Sequence, residues 1–174
     1  MFYLMNHRKY HWVDSLAPQA DTVFGVKFGR LLAMHHTCPV FLCIGTPLLY
    51  GDALGPHIGT ALKNHGIDHV YGTLDTPVHA ENIEYYRKVI NQSYAMPTII
   101  AIDAALGTKM QEGYITLRHG ALHPGKAIGK SIAPIGNIEI TGIFENIGQR
   151  NAESVMLHMG EVIIQGIIKN LKKK

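Results

Sequence analysis

Cysteine, charged residues and long apolar runs are all scarce in this sequence. Each scarcity excludes a class of protein or a cellular compartment. The two cysteines, Cys38 and Cys43, lie just before and inside one predicted strand, which is a poor arrangement for a disulfide. We therefore expect reduced thiols in a cytoplasmic protein. No apolar run approaches the roughly 20 residues that a membrane-spanning helix needs. Residues 1–10 also lack the apolar stretch of a signal peptide, so we expect a soluble protein with no membrane partner.

Charged residues make up only 17% of the chain, and the formal net charge is +3. Three of the basic residues are the lysines at positions 172–174, and no basic face with interleaved aromatic residues occurs elsewhere. We therefore expect no nucleic-acid partner. Hydrophobic residues make up 47% of the 174 residues, which is enough for the core of one ordinary domain.

Several common active-site motifs are absent. The eleven histidines include no His-Glu-x-x-His zinc motif. The glycines at positions 45, 51 and 55 match neither the dinucleotide-binding G-x-G-x-x-G pattern nor a phosphate-binding loop that ends in Lys-Ser/Thr. No G-x-S-x-G element surrounds a nucleophilic serine. These absences argue against nucleotide binding and serine-hydrolase chemistry, and we expect no cofactor, with a bound divalent metal as the alternative.

What the sequence does contain is an alternation of apolar runs and amphipathic stretches. The pattern predicts strands over residues 40–44, 69–74, 98–102, 114–118 and 137–144. It predicts helices over residues 21–34, 53–64, 78–92 and 153–171. Strands that alternate with helices favour an α/β fold, here three layers (α/β/α) around a mostly parallel, mixed five-stranded sheet. We expect a single domain over residues 1–174, with residues 1–18 as a loosely ordered N-terminal segment.

Three acidic residues follow the first three predicted strands, namely Asp52, Asp75 and Asp103. If the connections are right-handed crossovers, these strands are parallel and their carboxyl ends share one edge of the sheet. Open α/β sheets place their ligand sites outside that edge. The sequence therefore predicts a functional cleft lined by carboxylates.

Asp52 and Asp103 form the chemically strongest pair. Asp103 directly follows the apolar run Ile-Ile-Ala-Ile, where burial would raise its pKa and a second carboxylate would separate the two pKa values. Two carboxyl groups that share a proton can polarise a water and protonate a leaving amine, which is acid–base hydrolysis of a peptide bond. The same pair with a histidine could instead hold a divalent metal that activates the water. Taken singly, each aspartate is better explained as a helix cap or an Asx turn; taken as a pair, catalysis is favoured.

Four further residues are candidates for substrate binding, namely Asp75, His79, His123 and Gly125. Asp75 precedes Thr-Pro and is fully explained as a helix cap. His79 lies one turn into the same predicted helix, where a histidine is more often structural than functional. His123 and Gly125 belong to a His-Pro-Gly turn in the segment 120–136, whose length favours a functional loop. Turn chemistry explains His123 equally well.

Several longer motifs together resemble a known family. They are C-I-G-T at residues 43–46, G-D-A-L-G-P at 51–56, V-Y-G-T-L and P-V-H-A-E-N within 70–82, I-I-A-I-D-A-A-L-G at 99–107, and P-I-G-N-I-E-I-T-G-I at 134–143. In combination these motifs resemble the YyaC-like sporulation proteins of spore-forming bacteria. The resemblance covers residues 40–143, which is most of the chain.

The resemblance implies a fold and an activity. The YyaC-like family is similar to the germination protease, which degrades small acid-soluble spore proteins, and the hydrogenase maturation endopeptidases share the same α/β architecture. In the germination protease a D-A-L-G-P motif and a strand ending in I-D-A-L each carry an acidic residue of the proposed aspartic site. Those motifs fall here on Asp52 and Asp103, and an H-P-G-x-x-V-G loop falls on residues 123–129. A peptide or spore-protein substrate and a location in the forespore or spore interior are therefore implied.

We predict an aspartate-dependent peptidase of sporulation or germination, with Asp52 and Asp103 as the acid–base pair. The first alternative is a non-catalytic sporulation protein that uses the same cleft to bind a peptide or a metal. The second is a hydrolase of another small substrate, since a fold alone does not decide function. The sequence leaves open whether the protein is a homo-oligomer.

Overall fold

Six strands form one mixed sheet in the computed structural model, which describes residues 10–124 and 132–172. The strands are β1 (His11–Asp14), β2 (Pro39–Cys43), β3 (Val70–Tyr71), β4 (Thr98–Leu106), β5 (Tyr114–His119) and β6 (Ile138–Phe144). Their order across the sheet is β1-β5-β6-β4-β2-β3. The pairs β2–β3, β2–β4 and β4–β6 are parallel, whereas β5 is antiparallel to both β6 and β1. Only β5 therefore runs against the other described strands, as expected for a mostly parallel sheet.

Four α-helices cover the two faces of the sheet within the described residues. They are α1 (Ala20–Leu32), α2 (Leu54–Asn64), α3 (Ile83–Ser93) and α4 (Asn151–Leu171), and a short 3₁₀ helix spans Lys109–Gln111. Side chains of α1, α2 and α4 share one apolar core with one face of the sheet. Side chains of α3 pack with strands β2 and β4 in a second core on the other face. The predicted three-layer α/β/α architecture is confirmed.

Strand β4 shows why the strongest apolar run of the sequence becomes a central strand. Ile100 and Ile102 belong to the core beneath α1, α2 and α4, whereas Ile99 and Ala101 belong to the core beneath α3. A strand with helices on both faces needs apolar residues at every position, so its sequence does not alternate.

Strand β1 was not predicted, and the sheet has six strands where five were expected. The strand has four residues, and only Val13 among them is buried. It exists because it pairs with β5, with Val13 opposite Ile115. So short a segment has no periodicity of its own, which is why the N-terminal residues were predicted to be loosely ordered.

The segment before α3 also differs from the prediction. The helix begins at Ile83 rather than at residue 78, and β3 has only two residues. Val78 forms a parallel bridge with Ile44, and its carbonyl accepts the Gly45 N–H at 2.8 Å. Since this bridge holds Val78 in extended backbone, the helix cannot start there.

Strand β4 is longer than predicted. It continues through Asp103 to Leu106 because its pairing with β6 continues, with Asp103 opposite Thr141. Its pairing with β2 ends at Ile102, opposite Cys43, which is the residue before Asp103. Asp103 therefore lies beyond the end of β2 while it is still held within the sheet.

No helix among residues 10–124 and 132–172 is long and apolar enough to cross a membrane.

Candidate active site

Asp52 is carried by a tight connection between β2 and α2. The chain turns at Gly45, whose φ of 142° favours glycine, and an added Cβ there would collide with the Asp52 carbonyl oxygen. A Cβ on Gly55 would likewise collide with the Ile44 carbonyl oxygen. These two glycines let the connection fold back over the end of β2, which places Asp52 at the carboxyl edge of the sheet.

The Asp52 carboxylate is partly buried and has one firm hydrogen bond. The Thr46 N–H donates to its Oδ2 atom at 2.7 Å. Burial raises the pKa of Asp52, while the Thr46 hydrogen bond and the charge of His79 act in the opposite direction. The net effect is a raised pKa, because these two neighbours offset the effect of burial only in part.

Asp103 has a different environment. Its Oδ1 atom accepts the Ala104 N–H at 2.8 Å. Burial is the main cause that raises the pKa of Asp103 to about 8, and the charges of Asp52 and Glu139 raise it further, against the Ala104 hydrogen bond. At neutral pH Asp103 is therefore mostly protonated, and it can donate a proton.

The structure brings these two carboxyl groups to the same place. Asp103 follows the last β2–β4 pair, and the connection after β2 returns Asp52 to the end of β2. The two groups are near enough that the charge of Asp52 raises the pKa of Asp103. A carboxylate and a carboxylic acid at one site can together accept a proton from water and donate one to a leaving group. Their catalytic role stays a prediction.

His79 lies at the same edge, although not in a helix as predicted. It follows Val78, whose bridge to Ile44 brings the segment beside the end of β2. The His79 N–H donates to Asn82 Oδ1 at 2.8 Å, and its ring Nδ1 accepts the Glu81 N–H at 3.3 Å. Because the His79 charge lowers the pKa of Asp52, the imidazole is close enough to act on that carboxylate.

Two other predicted binding residues, Asp75 and His123, do not join this site. Asp75 is exposed in a turn that is closed by the hydrogen bond from Thr73 N–H to the Thr76 carbonyl, so it caps no helix. His123 is exposed beside Leu122. Within residues 10–124 and 132–172, neither Asp75 nor His123 has a hydrogen bond to the aspartate pair. Gly125 lies outside the described residues.

Three polar residues near the pair were missed in the sequence: Arg118, Glu139 and Thr141. Thr141 lies opposite Asp103, and Glu139 lies opposite Arg118. Arg118 Nη2 and Glu139 Oε2 form an ion pair at 2.5 Å. The alternation Ile-Glu-Ile-Thr at residues 138–141 was visible in the sequence, and it could have shown that β6 presents a polar face.

We assign no metal ligand to the described residues. Among residues 10–124 and 132–172, no group of three or more His, Cys, Asp or Glu side chains is arranged to hold a metal ion. Cys43 is also unsuited to chemistry, because it is fully buried in the core and burial raises the pKa of its thiol well above the usual range.

The chain is similar to two solved structures. One is a [NiFe] hydrogenase maturation protease, HybD, from Thermococcus kodakarensis, with 16% identity, a TM-score of 0.44, and coverage of 78% of this chain and 99% of that chain. The other is an uncharacterized protein from Wolinella succinogenes, with 15% identity, a TM-score of 0.44, and coverage of 78% of this chain and 97% of that chain.

The sequence comparisons find a relative with a higher identity than these two structures. The chain is 34% identical over 137 residues to the uncharacterized protein YyaC of Bacillus subtilis (strain 168), which covers 74% of this chain and 67% of that protein. A family model described as "Protein of unknown function (DUF1256)" matches residues 18–166. The resemblance to YyaC-like proteins is confirmed, and the chain belongs to the DUF1256 family.

Proposed function

We propose that the protein is a peptidase that hydrolyses a peptide bond with Asp52 as the base and Asp103 as the acid. One observation carries this proposal: two neighbouring carboxyl groups lie at the carboxyl edge of the sheet in unlike environments. Burial and two nearby carboxylates raise the pKa of Asp103 to about 8, whereas the Thr46 hydrogen bond and His79 partly offset the effect of burial on the pKa of Asp52. Such a division is how paired carboxyl groups perform acid–base chemistry near neutral pH.

In the proposed reaction, Asp52 takes a proton from a water whose oxygen attacks the peptide carbonyl carbon. The protonated Asp103 donates a hydrogen bond to the carbonyl oxygen and then supplies a proton to the departing nitrogen as the carbon–nitrogen bond breaks. The proton on Asp52 passes to Asp103 and restores the starting state. One water is consumed, and a carboxylic acid and an amine are formed.

The surroundings of Asp52 support a polypeptide as the substrate. The loop that ends at Asp52 carries three large apolar side chains at its surface, namely Leu48, Leu49 and Tyr50, and Leu48 is 87% exposed. The loop is anchored by the Thr46–Asp52 hydrogen bond and by the Gly51 N–H, which donates to the Ile147 carbonyl at 2.9 Å. Exposed apolar side chains on an anchored loop fit an apolar segment of another polypeptide.

We also propose that the substrate is a spore protein and that the protein acts in the forespore or spore interior. The motif resemblance to YyaC-like sporulation proteins supports this assignment. The alternative is a non-catalytic protein that binds a peptide in the same cleft. The local hydrogen bonds of both aspartates favour that alternative, because Asp52 holds its own loop and Asp103 bonds to its neighbouring N–H.

The deciding experiment is a cleavage assay. Purified protein is incubated with small acid-soluble spore proteins and with spore extract, and new peptide termini are identified by mass spectrometry. Asp52→Asn and Asp103→Asn are run beside Asp21→Asn, which changes an aspartate of α1 that pairs with Lys169 of α4. We expect new termini with the parent protein and Asp21→Asn, and none with the two site variants. Absence of cleavage across pH and added divalent metals, with peptide binding retained, would favour the binding protein.

A further inference from the structure

A row of polar side chains crosses the sheet beside Asp103. In the β4–β6 pairing, Asp103 is opposite Thr141 and Ala101 is opposite Glu139. In the β5–β6 pairing, Arg118 is opposite Glu139. Because successive residues of a strand point to opposite faces, these polar residues share the face of Asp103. Their neighbours Ile138 and Ile140 point into the core on the other face.

The Glu139 carboxylate accepts one hydrogen bond and forms one ion pair. Arg118 Nη2 lies 2.5 Å from Oε2, and the Thr141 hydroxyl donates to Oε1 at 3.3 Å. Arg118 is itself held, because Nη2 also donates to the Ala121 carbonyl at 2.6 Å and the guanidinium lies 5.2 Å from the centre of the Tyr10 ring. The side chains of Arg118 and Glu139 are only 18% and 12% exposed. The Glu139 side chain is therefore held in place and poorly screened by solvent.

The titratable groups around the two aspartates differ in kind. Asp103 of β4 faces the carboxylates of Glu139 on β6 and of Asp52 on the β2–α2 connection. Asp52 faces His79, from the segment before α3, and accepts the Thr46 N–H. The positive charge of Arg118 on β5 is engaged by Glu139 rather than by Asp103. The arrangement is thus asymmetric: two carboxylates lie near Asp103, whereas the His79 imidazole and the Thr46 N–H lie near Asp52.

We propose that Glu139, clamped by Arg118, is a positioning residue of the site. Its negative charge acts together with burial to keep the proton on Asp103, so that Asp103 acts as the acid and Asp52 as the base. The division into acid and base rests on the proposed peptidase function, whereas the location of the proton can be measured without any substrate.

The test follows the carboxyl carbon of Asp103 by NMR as the pH is changed, in the full chain and without substrate. The resonance is assigned by its loss in Asp103→Asn. In Glu139→Gln we expect the titration midpoint of Asp103 to fall by less than about one pH unit, because a nearby like charge is removed while burial, the main cause of the raised pKa, remains. Asp21→Asn is the matched control, since it removes the same type of charge from the opposite face of the sheet and should leave the midpoint unchanged.

A second variant guards against misfolding, because Glu139→Gln leaves Arg118 without its ion partner. The double variant Arg118→Gln/Glu139→Gln removes both charges together, and the midpoint should again fall. An unchanged midpoint in either folded variant would overturn the proposal, whether or not the protein cleaves peptides.

The cleavage assay adds a second readout. Activity that needs a protonated Asp103 is lost on the alkaline side of its midpoint, so the alkaline limb of the pH profile should move to lower pH in Glu139→Gln. If the midpoint falls but the limb stays in place, Asp103 is not the acid, and the positioning role of Glu139 in catalysis is wrong. If the protein cleaves no peptide, the peptidase proposal fails, and the NMR titration still decides whether Glu139 holds the proton on Asp103.

Discussion

The two faces of the sheet are built from alternate residues of the same strands, and both carry an apolar core, but the face that packs with α3 also presents ionisable side chains. On one face, Ile100, Ile102 and Ile140 pack against helices α1, α2 and α4. On the other face, β4 and β6 present Asp103 and Glu139. Because the side-chain period of a strand is two, one strand can stabilise the fold with one set of residues and carry polar groups with the other. Stability and chemistry should therefore be separable by mutation.

The largest effect is expected from removing the acid. Asp103→Asn should lower the cleavage rate on the order of 100- to 10,000-fold, which is the usual contribution of one acid–base group. The free energy of unfolding should not fall, because the amide replaces a carboxyl group that is already neutral at pH 7. Rates and denaturant unfolding are measured on the same preparation. A large loss of stability would instead show that the polar face is needed for folding.

The apolar face should show the reverse behaviour. Ile163 of α4 is fully buried, and Ile163→Ala should lower the free energy of unfolding by about 2–5 kcal/mol through lost burial and a cavity. Leu157→Ala on the same helix is the matched control, since Leu157 is 46% exposed. Urea unfolding followed by circular dichroism checks both. If the folded fraction of Ile163→Ala loses its cleavage rate, the two faces are not independent.

The pH dependence of stability sharpens the comparison. The pKa of Asp103 is about 8 in the folded chain, against an ordinary value of 3.8 for an exposed aspartate. Between these values the folded chain holds one more proton than the unfolded chain, so rising pH favours unfolding. Asp103 should contribute a decrease of up to about 1.4 kcal/mol per pH unit in this range. Urea unfolding of the parent protein and Asp103→Asn at matched pH values isolates this term; equal slopes would contradict it.

The smallest effect is expected at the ion pair between the terminal helices. Lys169 of α4 pairs with Asp21 of α1, and their side chains are 50% and 29% exposed. Solvent screens such a pair, so Lys169→Met should lower the free energy of unfolding by less than about 1 kcal/mol, and less in high salt. A larger loss, measured by urea unfolding at low and high salt, would mean that this pair is better shielded than its exposure indicates.

The sequence predicted those strands and helices whose own residues show an apolar run or a helical periodicity. The run Thr-Ile-Ile-Ala-Ile predicted the start of β4, and helical periodicity predicted most of α4. The aspartate pair was predicted too, because parallel strands must bring their carboxyl ends to one edge. In the sequence, Asp52 and Asp103 each come after an apolar run that predicts one of these parallel strands.

Non-local pairing decided what the sequence did not show. β1 exists through its pairing with β5, and α3 starts late because Val78 bridges to Ile44. Glu139 was missed for the same reason. Its polar alternation is visible in the sequence, but its position beside Asp103 and its ion pair with Arg118 depend on the registers of β6 with both neighbours.

By itself, the sequence determined the α/β class, the central strands and the edge of the sheet at which two aspartates meet. These features follow from side-chain periodicity and from the right-handed crossovers that connect parallel strands. The tertiary structure alone decided the electrostatic environments that make Asp103 and Asp52 different. Those environments depend on burial and on charges from strands that are distant in sequence, and no local pattern encodes the distances between them.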